Sequence, residues 1–252
     1  MGQIALRAGR PLAFAIAPVL ITQGVRVRRR TPVLPEAAGA RHGVEGGPGG
    51  DPTAVLVLGE STAAGVGVPH QSDGLAPALA SGLARHTGGP VAWRVAARTG
   101  YNARKTRDLL VPQLPDETYD AVVVVLGVND VLEMRSARAW QHDITALLAD
   151  LRPRLRPAGR VVLAGVPDVS GFPTLPQPTR AVLALHARQL DRRLARVAAT
   201  APSALHVPSP GIDTSGLYAE DGFHPSAAGY RRWAAHLVTE LVSSAGAGEG
   251  RR

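Results

Sequence analysis

Cysteine is absent from this 252-residue chain, and lysine occurs once, at Lys105, among 28 basic residues. Without a thiol there is no disulfide framework, no thiolate nucleophile and no cysteine-held zinc site, and the redox compartment is left open. Aromatic residues make up only 4% of the chain, so few rings are on hand to stack against sugars. No clean apolar stretch reaches the ~20 residues that a membrane-spanning helix needs. The best run, Pro11 to Thr22, is interrupted by Pro18, preceded by Arg7 and Arg10, and followed by Arg26, Arg28, Arg29 and Arg30. Metal and phosphate motifs are missing as well: no His-Glu-x-x-His spacing occurs, and the glycines between Gly59 and Gly67 lack the spacing and the Gly-Lys-[Ser/Thr] ending of phosphate-binding loops. Neither a cofactor nor a metal is expected.

The net charge of +8 suits a nucleic-acid binder until its location is considered. Residues 1–42 hold seven arginines against Glu36, and Arg251 and Arg252 end the chain, so of 28 basic and 20 acidic residues 19 of each remain in 43–250. That stretch is neutral and offers no broad electrostatic footprint for a phosphate backbone, which argues against nucleic acid as the main partner. In residues 1–30 a basic cluster follows the apolar run directly, unlike a cleavable signal peptide, where the basic residues come first. This order suits retention on an anionic membrane surface, with apolar turns in the interface and arginines on lipid headgroups. The alternative is a segment packed on the domain or left mobile. A cytoplasmic protein, peripheral at the membrane surface and without a clear cleavable signal peptide, is the expectation.

Composition divides the chain into an apolar and basic segment at 1–31, a Pro/Gly-rich linker at 32–52, a catalytic domain at 53–243 and a flexible tail at 244–252. Within the domain, Ala54–Leu58, Ala92–Ala96, Ala121–Leu126, Val161–Ala164 and Leu205–Val207 read as strands, several of them near-continuously apolar, as strands buried on both faces are. Leu75–Arg85, Ala103–Val111, Ser136–Leu155, Arg180–Ala199 and Pro225–Val242 read as helices. The alternation predicts a parallel sheet with helices on both sides.

Chemistry concentrates in four patches in one order: Gly59-Glu60-Ser61-Thr62, Gly100, Gly127-Val128-Asn129-Asp130 and Asp221-Gly222-Phe223-His224. The first three follow predicted strands, at the sheet edge where open parallel sheets bind ligands. A serine hydroxyl is a weak nucleophile until a base takes its proton, and an imidazole held by a carboxylate is the usual base. Of the eight histidines, only His224 has an aspartate three residues earlier in a loop ahead of a helix. Asp221 can therefore fold back onto one ring nitrogen while the other faces Ser61. Negative charge on an acyl carbonyl needs fixed donors, and the candidates are the N–H groups of Ser61 and Gly100 and the Asn129 amide. Each residue also has a plainer reading, with Ser61 as a cap, Gly100 and Asn129 in turns, and Asp221 at a helix start; the ordered set favours catalysis.

These four blocks resemble those of the SGNH (GDSL-type) hydrolases: Ser61, Gly100, Asn129 within Gly127-x-Asn129-Asp130, and His224 within Asp221-x-x-His224-Pro225. The likeness covers about residues 53–243. It implies a flavodoxin-like three-layer α/β/α sandwich, here with a five-stranded parallel sheet, a Ser61–His224–Asp221 triad, an oxyanion hole from Ser61, Gly100 and Asn129, and no metal. Glu60 departs from the pattern, which has aspartate there. The segment Pro167–Pro178 follows the fourth predicted strand and is expected to overhang the catalytic face, with Pro167 and Phe172 touching substrate. Its apolar character and the N-terminal segment point to a lipid or other small-molecule ester, hence a lysophospholipase-like or general carboxylesterase. A carbohydrate deacetylase, an acyltransferase and a catalytically silent acyl-lipid binder are the alternatives.

Overall fold

The computed structural model describes residues 18–210 and 216–249, and a single sheet organises them. Six strands lie in the order β1-β3-β2-β4-β5-β6, with β1 at His42–Glu45, β2 at Thr53–Gly59, β3 at Val91–Ala97, β4 at Tyr119–Val125, β5 at Leu155–Ala164 and β6 at Ala204–Val207. Strands β2 to β6 run parallel, with Val57 opposite Val123 and Val123 opposite Val162. Successive side chains point to opposite faces of a strand, so the apolar runs divide between two cores. Leu56, Leu58, Val122, Val124 and Leu163 face one helical layer, and Val55, Val57, Val123 and Val162 face the other.

On the first face pack α5 (Ala137–Leu151) and α6 (Thr179–Thr200), through Trp140, Ile144, Leu147 and Leu190. On the second lie α2 (Leu75–Thr87) and α7 (Ala227–Glu249), through Leu75, Leu79, Tyr230 and Leu237. Each large apolar side chain fully buried in these layers contributes roughly 1.5–3 kcal/mol. Shorter pieces are α3 (Ala103–Lys105) and α4 (Val128–Leu132). Helix α1 covers residues 18–30, and none of the described helices is long and apolar enough to cross a membrane. The apolar run from Pro11 lies outside the described residues as far as position 17.

The sheet has six strands where five were expected, because part of the stretch expected to be a linker joins it. Strand β1 pairs antiparallel with β3, Gly43 standing opposite Trp93. A Cβ at Gly43 would meet the Trp93 indole at 2.8 Å, so glycine there makes room for the ring. Just before it, Glu36 accepts the Thr99 N–H at 2.7 Å and pairs with Arg41, which also donates to the Ala97 carbonyl at 2.8 Å. Residues 36–45 thus brace the far end of β3. Other boundaries moved for local reasons. Helix α5 gives way at Pro153 to a single tight turn, and β5 begins at Leu155 rather than Val161, its first half crossing a register shift against β4. The expected helix over 103–111 is one α-turn followed by a wide π-turn, Thr106–Leu110; Pro112, with no N–H, cannot extend the ladder. Helix α7 continues to Glu249, through residues 244–249 of the expected tail.

Candidate active site

Strand β2 ends at Gly59, where a Cβ would stand 2.1 Å from the Val125 carbonyl oxygen, so only glycine lets β2 and β4 lie together as the chain leaves the sheet. The turn from Glu60 to Gly67 follows. It is closed by Ala64 N–H to the Glu60 carbonyl at 3.0 Å and Val66 N–H to the Ser61 carbonyl at 3.0 Å. From outside, the buried Tyr230 hydroxyl donates to the Val66 carbonyl at 2.6 Å and Gln71 donates to the Ala64 carbonyl at 2.9 Å. Tyr230 belongs to α7, the helix that follows His224. One side chain therefore ties the serine turn to the element that presents the histidine, a link with no signal in the sequence.

The geometry at the sheet edge is direct. Ser61 Oγ lies 2.8 Å from His224 Nε2, and His224 Nδ1 lies 2.5 Å from Asp221 Oδ2, although Ser61 and His224 are 163 residues apart. Asp221 is buried, and its other oxygen accepts the N–H groups of Phe223 at 2.9 Å and His224 at 3.0 Å. Burial raises its pKa, but the hydrogen bonds from the His224 ring and the two backbone N–H groups outweigh that, and the carboxyl is held below the usual carboxylate value. Gly100 has φ +79°, and a Cβ there would meet nothing, so it is backbone conformation that favours glycine. Among the described residues neither the Ser61 nor the Gly100 N–H donates to another group. The Asn129 amide is in a different condition: it donates to Glu60 Oε2 and, at 3.0 Å, to the Tyr101 carbonyl.

A profile of the GDSL-like lipase/acylhydrolase family matches residues 57–232. The chain belongs to this family. Its members are hydrolases acting on esters. The GDSL-like esterase Rv1075c of Mycobacterium tuberculosis (strain ATCC 25618 / H37Rv) is 29% identical over 191 residues, which cover 70% of this chain and 57% of that protein. The chain thus spans little more than half of that relative's length. Among solved structures, TesA has a TM-score of 0.59 at 23% identity, covering 75% of this chain and 97% of TesA. The psychrotrophic esterase EstA from Pseudoalteromonas sp. has 0.60 at 16%, covering 77% and 99%. Phospholipase A1 from Streptomyces albidoflavus NA297 has 0.51 at 17%, covering 77% and 99%. At these identities the likeness is one of fold: an α/β sheet flanked by helices, as in SGNH hydrolases.

In this member of the GDSL-like family the residue before the serine is glutamate. Glu60 is 2% exposed, and it accepts the Val128 N–H at 2.9 Å, the Asn129 N–H at 3.0 Å and the Asn129 side-chain amide. Burial drives its pKa up to about 8, against the opposing pull of the Asn129 and Val128 N–H groups and with help from nearby Asp130. Asp130 is fully buried; it accepts the Ala103 N–H at 3.0 Å and is pushed up to about 7, mainly by burial. The two carboxyls hold the start of α4 and the loop after Gly100 at fixed positions. Sequence reading placed Glu60 in the serine loop but missed its grip on Asn129.

A cavity of about 870 Å³ opens over Ser61 and His224, at the upper end of the usual range for ligand sites. Pro167 and Phe172 both line it. Phe172 is buried, packing edge-on against Tyr218 and Phe223 with ring centroids at 5.7 and 5.4 Å, so it serves as a fixed wall of the cavity. The cavity's other wall is helix α1, from the segment for which the sequence left open a membrane surface or packing on the domain.

Proposed function

We propose that this protein is a serine esterase working through an acyl-enzyme on Ser61. His224 Nε2 takes the Ser61 proton as Oγ attacks the ester carbonyl, and the ring, held by Asp221, carries the resulting positive charge. The N–H groups of Ser61 and Gly100 receive the negative carbonyl oxygen, and the Asn129 amide joins them by giving up one of its two hydrogen bonds, to Glu60 or to the Tyr101 carbonyl. When the tetrahedral species collapses, the carbon–oxygen bond to the alcohol breaks and the imidazolium gives its proton to the leaving oxygen. Water then attacks the acyl-enzyme with the same ring as base, releasing the acid and returning the proton to Ser61.

The observation that carries this reading is the unbroken chain of hydrogen bonds, 2.8 and 2.5 Å, from Ser61 through His224 to Asp221. The mostly apolar cavity favours an acyl or lipid ester, in the manner of a lysophospholipase, over an acetylated sugar. Ser61→Ala and His224→Ala should each lower turnover of a chromogenic short-chain ester by about 10⁴–10⁶-fold with the fold retained by circular dichroism. Wild type should react with a fluorophosphonate and Ser61→Ala should not. Undiminished turnover in either variant would refute the assignment, and an unreactive wild type would leave the silent lipid binder as the better account. A peripheral position at an anionic, cytoplasmic membrane surface forms part of the proposal, supported by Arg26, Arg29 and Arg30, which α1 exposes away from the cavity.

A further inference from the structure

Helix α1 lies outside the residues matched by the family, yet it walls the catalytic cavity. The cavity-lining residues Ile21, Gly24, Val25 and Arg28 recur at the three- and four-residue spacing that places side chains on one helix face. Ile21 is 67% exposed and Val25 47%, and Leu132, from the turn that carries Asn129, is 49% exposed and lines the same space. Three large apolar side chains left uncovered around one cavity that reaches Ser61 describe a surface made for an apolar occupant.

The wall is fastened in place. Gln23 donates to the Gln177 carbonyl at 2.7 Å and accepts the Thr179 hydroxyl at 2.7 Å, tying α1 to the first turn of α6 and to the loop that bears Phe172. Val27 packs against the core. In the middle of the stripe, Gly24 is an anomaly. Glycine inside a helix costs about 1 kcal/mol relative to alanine, and a Cβ at this position would meet nothing within 4 Å, so no packing contact demands it. What the missing side chain does provide is open space on the cavity side.

We infer that α1 is the acyl-chain wall of the site: a long linear acyl group of the ester lies along Ile21, Gly24 and Val25, facing Leu132, with its carbonyl at Ser61. This deepens the esterase reading and rests on it for the position of the carbonyl. Bulk at Gly24 fills the channel that the distal methylenes occupy and leaves the end nearest Ser61 open.

The test uses the full chain and p-nitrophenyl esters from acetyl to hexadecanoyl. In Gly24→Phe, the ratio of kcat/KM for the dodecanoyl ester to that for the acetyl ester should fall at least tenfold. Thr22→Phe, with the same bulk at an exposed position of α1 that does not line the cavity, should leave that ratio unchanged. A ratio that does not move in Gly24→Phe, or that falls equally in Thr22→Phe, overturns the wall. Calorimetric titration of dodecanoate into wild type and Gly24→Phe gives a readout independent of turnover, and the variant should bind at least tenfold more weakly; equal binding overturns the inference. A wild type that hydrolyses no ester yet shows this binding difference would instead sink the esterase reading and keep the wall.

Discussion

Glu60 gives the sharpest quantitative expectation. Its carboxyl is buried among backbone N–H groups and the Asn129 amide, with its pKa raised from 4.5 to about 8. An acid whose folded pKa lies above its unfolded value binds more protons folded than unfolded in the interval between them. Its contribution is therefore greatest below about 4.5 and is lost as pH rises through about 8. At about 1.4 kcal/mol per pH unit the ceiling on that loss is about 5 kcal/mol, of which about 4 falls between pH 5 and 8. Glu60→Gln removes the titration. It also points an amide N–H at the donors of Asn129, leaving at least one unsatisfied at a cost of about 1–3 kcal/mol. The variant should accordingly be the less stable protein at pH 5; the gap should close with rising pH, and the order should reverse by pH 8. Urea unfolding at unit intervals from pH 5 to 8, with equal slopes checked for both proteins, measures this. Asp130 titrates in the same window, but it is present in both chains and its share largely cancels in the difference. Parallel stability curves would refute the reasoning and show Glu60 already ionised in the fold, held so by its donors.

Asn129→Ala should lower kcat for ester hydrolysis by about 10²–10³-fold, the effect of deleting one oxyanion donor; a rise in KM with kcat intact would show that Asn129 does not act in the transition state. On the membrane side, the full chain should co-sediment with phosphatidylglycerol vesicles and not with phosphatidylcholine vesicles. Changing Arg26, Arg29 and Arg30 together to Gln should abolish that, and failure of the wild type to bind anionic vesicles would remove the membrane surface as a partner.

Sequence reading recovered what is periodic or local. Strands β2 and β4 were legible as continuous apolar runs because burial on both faces leaves little polar alternation to confuse them, and β3 and β6 as shorter apolar stretches interrupted by Arg94 and His206. The serine, glycine and asparagine were placed by a single rule about where parallel sheets bind ligands, and Asp221 and His224 by their three-residue spacing. Strand β1 was illegible: Val44 is its one large apolar residue, glycines surround it, and what makes it a strand is the distant edge of β3. The same holds for Glu36 on the Thr99 N–H, Tyr230 on the Val66 carbonyl and Glu60 on Asn129. Each is a lone polar contact between segments far apart in the chain, and no local pattern announces it.

Composition left two readings open for helix α1, a membrane surface and a segment packed on the domain, and the structure packs one of its faces on the domain. Alternating apolar and basic residues suit a membrane surface, yet the stripe of Ile21, Gly24, Val25 and Arg28 turns inward to the cavity while Arg26, Arg29 and Arg30 remain outside. Both orientations can hold at once because a helix has two faces, and they make different demands on the chain. The proposed chemistry depends on residues within the matched 57–232, where backbone geometry at the ends of β2, β3 and β4 tolerates little change. The proposed selectivity for the acyl group depends on a wall from outside that range, held to the domain by Gln23 and Val27. Such a wall can be altered with less cost to the fold than any residue of the sheet edge. On the proposed reading, chain-length preference is therefore the property most open to change by substitution, and α1 is where that change is expected to register first.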